Sequence, residues 1–175
     1  MFIILLTGLS GSGKTTLAGE LQKKLAAKAI PVQVFDGDLY RKTVNADLGF
    51  SAADRRENIS RLSKLANETC SKGIISIIAA INPYEDQRTE LNKKFGAKII
   101  WVYCTVPTLV KRDTKGLYYK ALLPDNHPEK LWNLTGINDP YENPEHPDLI
   151  IDTSESTIEA SVNQLFNYIL SLIKT

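Results

Sequence analysis

Three clusters of residues have the types and spacings that chemistry needs. The first, Gly8-Leu9-Ser10-Gly11-Ser12-Gly13-Lys14-Thr15, fits G-x-x-x-x-G-K-[ST] at every position. Glycines at this spacing let successive backbone N–H groups converge on phosphate oxygens, because no Cβ forbids the angles required. Gly8, Ser10, Gly11, Ser12, Gly13, Lys14, Thr15 and Thr16 are therefore the expected phosphate contacts of a bound nucleotide. In such a loop the lysine reaches the β- and γ-phosphates, and the next hydroxyl ligates Mg²⁺. Those tasks fall to Lys14 and Thr15, with ATP and Mg²⁺ as the expected cofactors.

The second cluster is Asp36-Gly37-Asp38, followed by Arg41. Two carboxylates at this position can hold Mg²⁺ through water, and one can accept a hydroxyl proton. An Asp-Gly turn capped by its own side chains has the same sequence, so both readings stand at this point. The third cluster is Arg55, Asn58 and Arg61, spaced three apart. On a helix they share one face and suit a bound phosphate or sulfate. The plain alternative is a solvated charged face, which is the reading for Arg56 and Glu57.

Chemistry at these positions needs elements to hold it. The apolar run from Phe2 to Thr7 reads as a strand buried on both faces, ended by Gly8. Residues 14–28 place Leu17, Leu21 and Leu25 on one helical stripe. Val32 to Phe35 reads as a second strand. Asp54 to Ser71 reads as a helix that Ser51 or Asp54 can cap and Gly73 ends. Ile74 to Ile81 is a buried strand, Glu85 to Lys94 a helix, Lys98 to Tyr103 a strand. Pro107 opens a short helix. Leu149 to Asp152 and residues 155–173 close the chain as strand and helix. Strands alternating with helices imply a parallel sheet with helices on both faces, the α/β three-layer sandwich of P-loop NTPases. The 175 residues suit a single domain. Residues 114–148, with Pro124, Pro128, Pro140, Pro144 and Pro147, lack helical periodicity and read as a lid.

Composition narrows the partners. A net charge of +1 offers no polyanion-binding surface, so no nucleic acid is expected and any anion site must be local. No apolar run approaches the roughly 20 residues a bilayer needs, so no membrane is expected. Cys70 and Cys104 are not spaced as a metal or redox pair and read as two buried thiols of a reducing compartment, so the expected location is cytoplasmic. His127 and His146 are too scattered for zinc. Among phosphate-loop proteins, the missing N-K-x-D signature argues against a GTPase-like switch. The short chain argues against a large assembly ATPase. A small-molecule kinase needs an acceptor site, which the second and third clusters supply.

Together these motifs make the chain resemble an adenylyl-sulfate kinase. The matching blocks are Gly8 to Thr16; Asp36-Gly37-Asp38 with Arg41; Leu48-Gly49-Phe50-Ser51 through Arg61; Pro83-Tyr84; Arg112-Asp113-Thr114-Lys115-Gly116-Leu117-Tyr118; and Asn133-Leu134-Thr135-Gly136-Ile137 through Glu142. The resemblance implies transfer of the ATP γ-phosphate to the 3′-hydroxyl of adenosine 5′-phosphosulfate, a small nucleotide acceptor, in sulfate assimilation. It implies Asp38, Lys14 and Lys115 as catalytic residues. Asp38 and Arg41 would meet the acceptor, Phe50 would stack on its base, and Arg55 and Asn58 would bind its phosphosulfate end. Arg112 would lie against the ATP adenine, and Asp36 with Thr15 would serve the metal. Homodimers are common in the family.

Three departures bear on the acceptor. The family's serine before Pro83-Tyr84 is Asn82, which cannot carry phosphate, so direct in-line transfer is expected. A family phenylalanine that sandwiches the adenine is Leu134, which keeps apolar contact but loses ring stacking. The segment between Lys120 and Thr135 is a few residues longer than usual. A changed acceptor such as cytidine diphosphoramidate, used in capsular polysaccharide modification, is the alternative within kinases. A nucleotide-binding regulator is the non-enzymatic one, disfavoured by Lys14, Asp38, Arg41 and Lys115 together.

Overall fold

In the computed structural model, which describes residues 1–173, five strands form one sheet in the order β2-β3-β1-β4-β5. The elements run β1 Ile3–Thr7, α1 Lys14–Ala26, β2 Val32–Asp36, α2 Gly37–Arg41, α3 Ala52–Ser71 and β3 Ile75–Ala79. Then come α4 Glu85–Phe95, β4 Lys98–Tyr103, α5 Val106–Arg112, α6 Leu117–Leu122, β5 Leu149–Asp152 and α7 Ile158–Ile173. Every strand pair is parallel. A parallel sheet needs both faces covered, which is why β1 and β3 are buried at every position.

One face packs on α1 and α7, joining Leu17, Leu21 and Leu25 to Ile4, Leu6, Val102, Leu165 and Phe166. The leucine stripe of α1 is at most 2% exposed, and each such side chain contributes about 2 kcal/mol by leaving water. The other face packs on α3 and α4, joining Ile59, Leu62, Ala66 and Leu91 to Ile3, Leu5 and Ile78. The register of β2 on β3 sets Asp36 opposite Ala79, and β1 lies on the other side of β3. The carboxyl ends of these three strands therefore meet at one edge, where ligands bind in open α/β sheets.

The expected elements are present, with shifts at their ends. Asp36 folds the Asp-Gly turn into the short helix α2, which sequence periodicity did not reveal. Its Oδ1 accepts from the N–H groups of Asp38 and Leu39 at 2.9 and 3.0 Å. Ser51 caps α3, accepting from the Asp54 N–H at 3.1 Å. The last helix starts at Ile158 rather than residue 155, because Thr157 Oγ1 accepts from the Ala160 N–H. The stretch 114–148 is not wholly irregular. It contains α6, and its apolar residues Tyr118, Ala121 and Leu134 form a third cluster with Leu9, Cys104 and Leu109. Of the two thiols read as buried, only Cys104 is; Cys70 is half-buried near the end of α3. Among the described residues no helix is long and apolar enough to cross a membrane.

Candidate active site

The loop from Gly8 to Gly13 leaves β1 and turns into α1. Gly8 sits at φ 151°, where a Cβ would come within 2.3 Å of the Val102 carbonyl oxygen. The loop can therefore lie against β4 only with glycine at this position. Gly13 is left-handed at φ 99° and stands at the N-cap of α1, with no side-chain cap on the helix's first N–H groups. Side chains from distant segments lock the loop. Tyr118 donates its hydroxyl hydrogen to the Ser10 carbonyl at 2.8 Å, and Thr153 Oγ1 donates to the Ser12 carbonyl at 2.9 Å.

A cavity of about 220 Å³ opens over this loop, lined by Ser10, Gly11, Gly13, Lys14, Thr15 and Thr16 from below. Asp36, Asp38 and Lys115 close its side. Gly8 and Ser12 do not line it. Lys14 is buried and folded back on its own loop, donating to the carbonyls of Gly8 at 2.8 Å and Leu9 at 2.7 Å. Burial pulls its ammonium from the ordinary 10.5 down to about 8; Asp38 and Asp36 oppose that fall and Lys115 adds to it. A buried cation against neutral carbonyls fits an incoming phosphate.

Thr15 donates to Asp36 Oδ2 at 2.6 Å. Asp36 thus serves both readings of its sequence, capping α2 with one oxygen and facing Thr15 with the other. This hydroxyl and carboxylate, beside a phosphate cradle, are the oxygen donors that Mg²⁺ accepts. Asp38 pairs with Lys115 at 2.5 Å across the cavity mouth. Burial raises the Asp38 carboxyl, but the hydrogen bond and charge of Lys115, with Lys14 and Lys42, outweigh it and hold it below its ordinary value. It stands ionised.

A second, smaller cavity of about 40 Å³ adjoins the first and shares Asp38, Ala80 and Ile81 with it. Arg41, Phe50, Arg55, Asn58 and Asn82 complete its walls. The Arg41 guanidinium lies 5.0 Å from the Phe50 ring centroid and Arg55 lies 5.7 Å from it. Burial and the neighbouring Arg55 charge pull Arg41 below its ordinary value. Arg55 donates to Asn133 O at 2.8 Å and pairs with Asp139 at 3.1 Å, tying α3 to the covering segment.

Three of the named side chains lie outside these two cavities. Arg61 does not join Arg55 and Asn58; it turns outward to Asp47 and Glu57, each at 2.8 Å. Leu134 is packed inside the cover, 4% exposed, and does not line the small cavity. Arg112 does not line the phosphate cavity either. It donates to Thr153 O at 2.6 Å, behind the residue that holds Ser12.

The sequence model of the family described as Adenylylsulphate kinase matches residues 1–152. The chain belongs to that family. A probable adenylyl-sulfate kinase of Halalkalibacterium halodurans is 40% identical over 174 residues, covering 98% of this chain and 81% of that one. The adenylyl-sulfate kinase of Clostridium acetobutylicum is 39% identical, covering 95% and 82%. Among solved structures, the Mycobacterium tuberculosis APS kinase CysC in complex with AMPPNP and APS superposes with a TM-score of 0.87 at 34% identity. It covers 96% of both chains. This adenylylsulphate kinase fold also carries a strut that sequence reading missed. Arg88, 1% exposed on α4, donates to Asn82 O at 2.7 Å and Glu142 O at 2.6 Å, and pairs with Glu85. Thr7 and Tyr141 join this strut at 3.1 Å. A helical arginine reads as solvated, and no local signal distinguishes this one.

Proposed function

We propose that the protein transfers the γ-phosphate of ATP to the 3′-hydroxyl of adenosine 5′-phosphosulfate, giving 3′-phosphoadenosine 5′-phosphosulfate. The observation that carries this reading is the junction of the two cavities at Asp38. One cavity suits the phosphates of a nucleotide, the other suits a second anionic molecule, and an ionised carboxylate stands between them. Family membership adds the nature of the acceptor.

In this reading the loop N–H groups and Lys14 hold the β- and γ-phosphates. Thr15 and Asp36 would hold Mg²⁺, which would supply neutralisation of the phosphate charge. Lys115 leaves Asp38 for the γ-phosphate as the acceptor enters. Asp38 then orients the 3′-hydroxyl and takes its proton. Arg41, Arg55 and the Asn58 amide take the phosphosulfate oxygens, with Phe50 under the base. Arg112 lies on the adenine side of ATP. Asn82 offers no hydroxyl for a phosphoenzyme, so transfer is direct and in line. The reaction is assigned to the cytoplasm.

An acceptor screen with ATP and Mg²⁺ tests the assignment. Adenosine 5′-phosphosulfate should give the highest kcat/KM and a product phosphorylated at the 3′ position. Higher kcat/KM for a cytidine diphosphate derivative, including its phosphoramidate, would overturn the sulfate assignment. ATP hydrolysis that no nucleotide acceptor stimulates would overturn the kinase reading.

A further inference from the structure

Asn82 combines two costly features. Its backbone is left-handed at φ 41°, and its side chain is 2% exposed with neither Oδ1 nor Nδ2 hydrogen-bonded among the described residues. Its main-chain oxygen, by contrast, is well held by Arg88 at 2.7 Å and Thr7 at 3.3 Å. The left-handed backbone does not require an amide, since glycine adopts it with no polar atoms to bury. A buried amide without partners destabilises the empty protein and gains when a ligand supplies them.

The small acceptor-side cavity that Asn82 helps to line is dominated by donors. Arg41 and Arg55 donate only. The Asn58 oxygen already accepts from Asn45 Nδ2 at 2.9 Å. Of the side-chain acceptors on these walls, Asn82 Oδ1 is the buried one to which no described residue donates. Phosphosulfate oxygens can satisfy the guanidiniums and Asn82 Nδ2, but they carry no hydrogen to give Oδ1. That oxygen needs a donor on the acceptor nucleotide itself.

We propose that Asn82 is a specificity-determining residue that reads the 2′-hydroxyl of a ribonucleotide acceptor. Oδ1 accepts from that hydroxyl, and Nδ2 donates to an oxygen of the same molecule. The proposal rests on the kinase reading above. The cavity, about 40 Å³, holds only a few water-sized groups. The 3′-hydroxyl must reach Asp38 on one of its walls. The donor fixed on the adjoining ribose carbon is the 2′-hydroxyl, so it is the group brought within reach of Asn82.

The test is a cycle of two enzymes and two acceptors: wild type and Asn82→Gly, with adenosine 5′-phosphosulfate and its 2′-deoxy analogue. Glycine keeps the left-handed backbone and the main-chain oxygen while removing the amide. Loss of the 2′-hydroxyl should lower kcat/KM about tenfold in wild type and under about twofold in Asn82→Gly. The KM for ATP should stay within about twofold in both enzymes. Asn82→Ser, whose hydroxyl can accept the same bond, should restore part of the discrimination. A merely structural asparagine would leave the deoxy penalty equal in the two enzymes, and that result overturns the proposal. If wild type turns over neither acceptor, the sulfate assignment above fails. The same cycle is then read by calorimetric binding of the two acceptors, with equal discrimination, or no binding, counting against Asn82.

Discussion

Burial of Lys14 makes a prediction about pH with opposite signs for ligand binding and for stability. Its ammonium drops from the ordinary 10.5 to about 8. At 1.36 kcal/mol per pH unit this corresponds to about 3 kcal/mol at most, since the carbonyls of Gly8 and Leu9 return part of it. In the empty protein the unfolded chain holds this proton up to 10.5 and the folded one releases it near 8. Stability from this residue is therefore lowest below pH 8 and rises as pH climbs from about 8 to 10.5. Phosphate binding needs the charged form. With a value of about 8, about one tenth of the free enzyme remains charged at pH 9. The ratio kcat/KM for ATP should therefore fall about tenfold per pH unit above 8, while kcat at saturating ATP stays level because bound phosphate holds the proton. Initial-rate kinetics across this range at constant ionic strength, beside thermal melts of the empty protein, read both limbs. Lys14→Met should abolish turnover yet melt no lower than wild type at pH 7. A flat kcat/KM profile through pH 9.5, or marked destabilisation by Lys14→Met, would refute the reasoning.

Two further outcomes follow from the site and its supports. Asp38→Asn should lower kcat by about a hundredfold or more in the 3′-phosphorylation assay, with a smaller change in the KM for ATP; an unchanged kcat removes Asp38 as the proton acceptor. Arg88→Met should cost about 3–5 kcal/mol, because Glu85 and the carbonyls of Asn82 and Glu142 lose a fully buried partner. By circular dichroism the melting temperature should fall by roughly 10 °C, whereas a melt within about 2 °C of wild type would show the strut to be dispensable.

The fold was legible because its signals are local. The apolar run at Ile3–Thr7, the leucine stripe of α1 and the Pro107 start of α5 each follow from neighbours a few residues apart. The phosphate loop was legible for the same reason, since its glycines, lysine and threonine act through their own backbone. Within Asp36-Gly37-Asp38 the residue types were readable but not the division of labour. Asp36 both caps α2 and meets Thr15, and only the approach of β2 to α1 brings those two together. The helix face of Arg55, Asn58 and Arg61 misled by one residue. Three-residue spacing drifts around a helix, so Arg55 and Asn58 turn inward while Arg61 finds Asp47 outside.

The sequence by itself determined the strand order along the chain, the longer helices, the phosphate cradle and the family, because each is written in short runs whose physics is contained in the run. Tertiary structure decided which charges face each other. Lys115 meets Asp38 across 77 residues, and Tyr118 meets Ser10 across 108. It also decided which polar groups lose water, burying Lys14, Arg88 and the unpaired amide of Asn82. Desolvation and long-range pairing depend on everything that packs around a group, and that surrounding exists only once the chain has closed on itself.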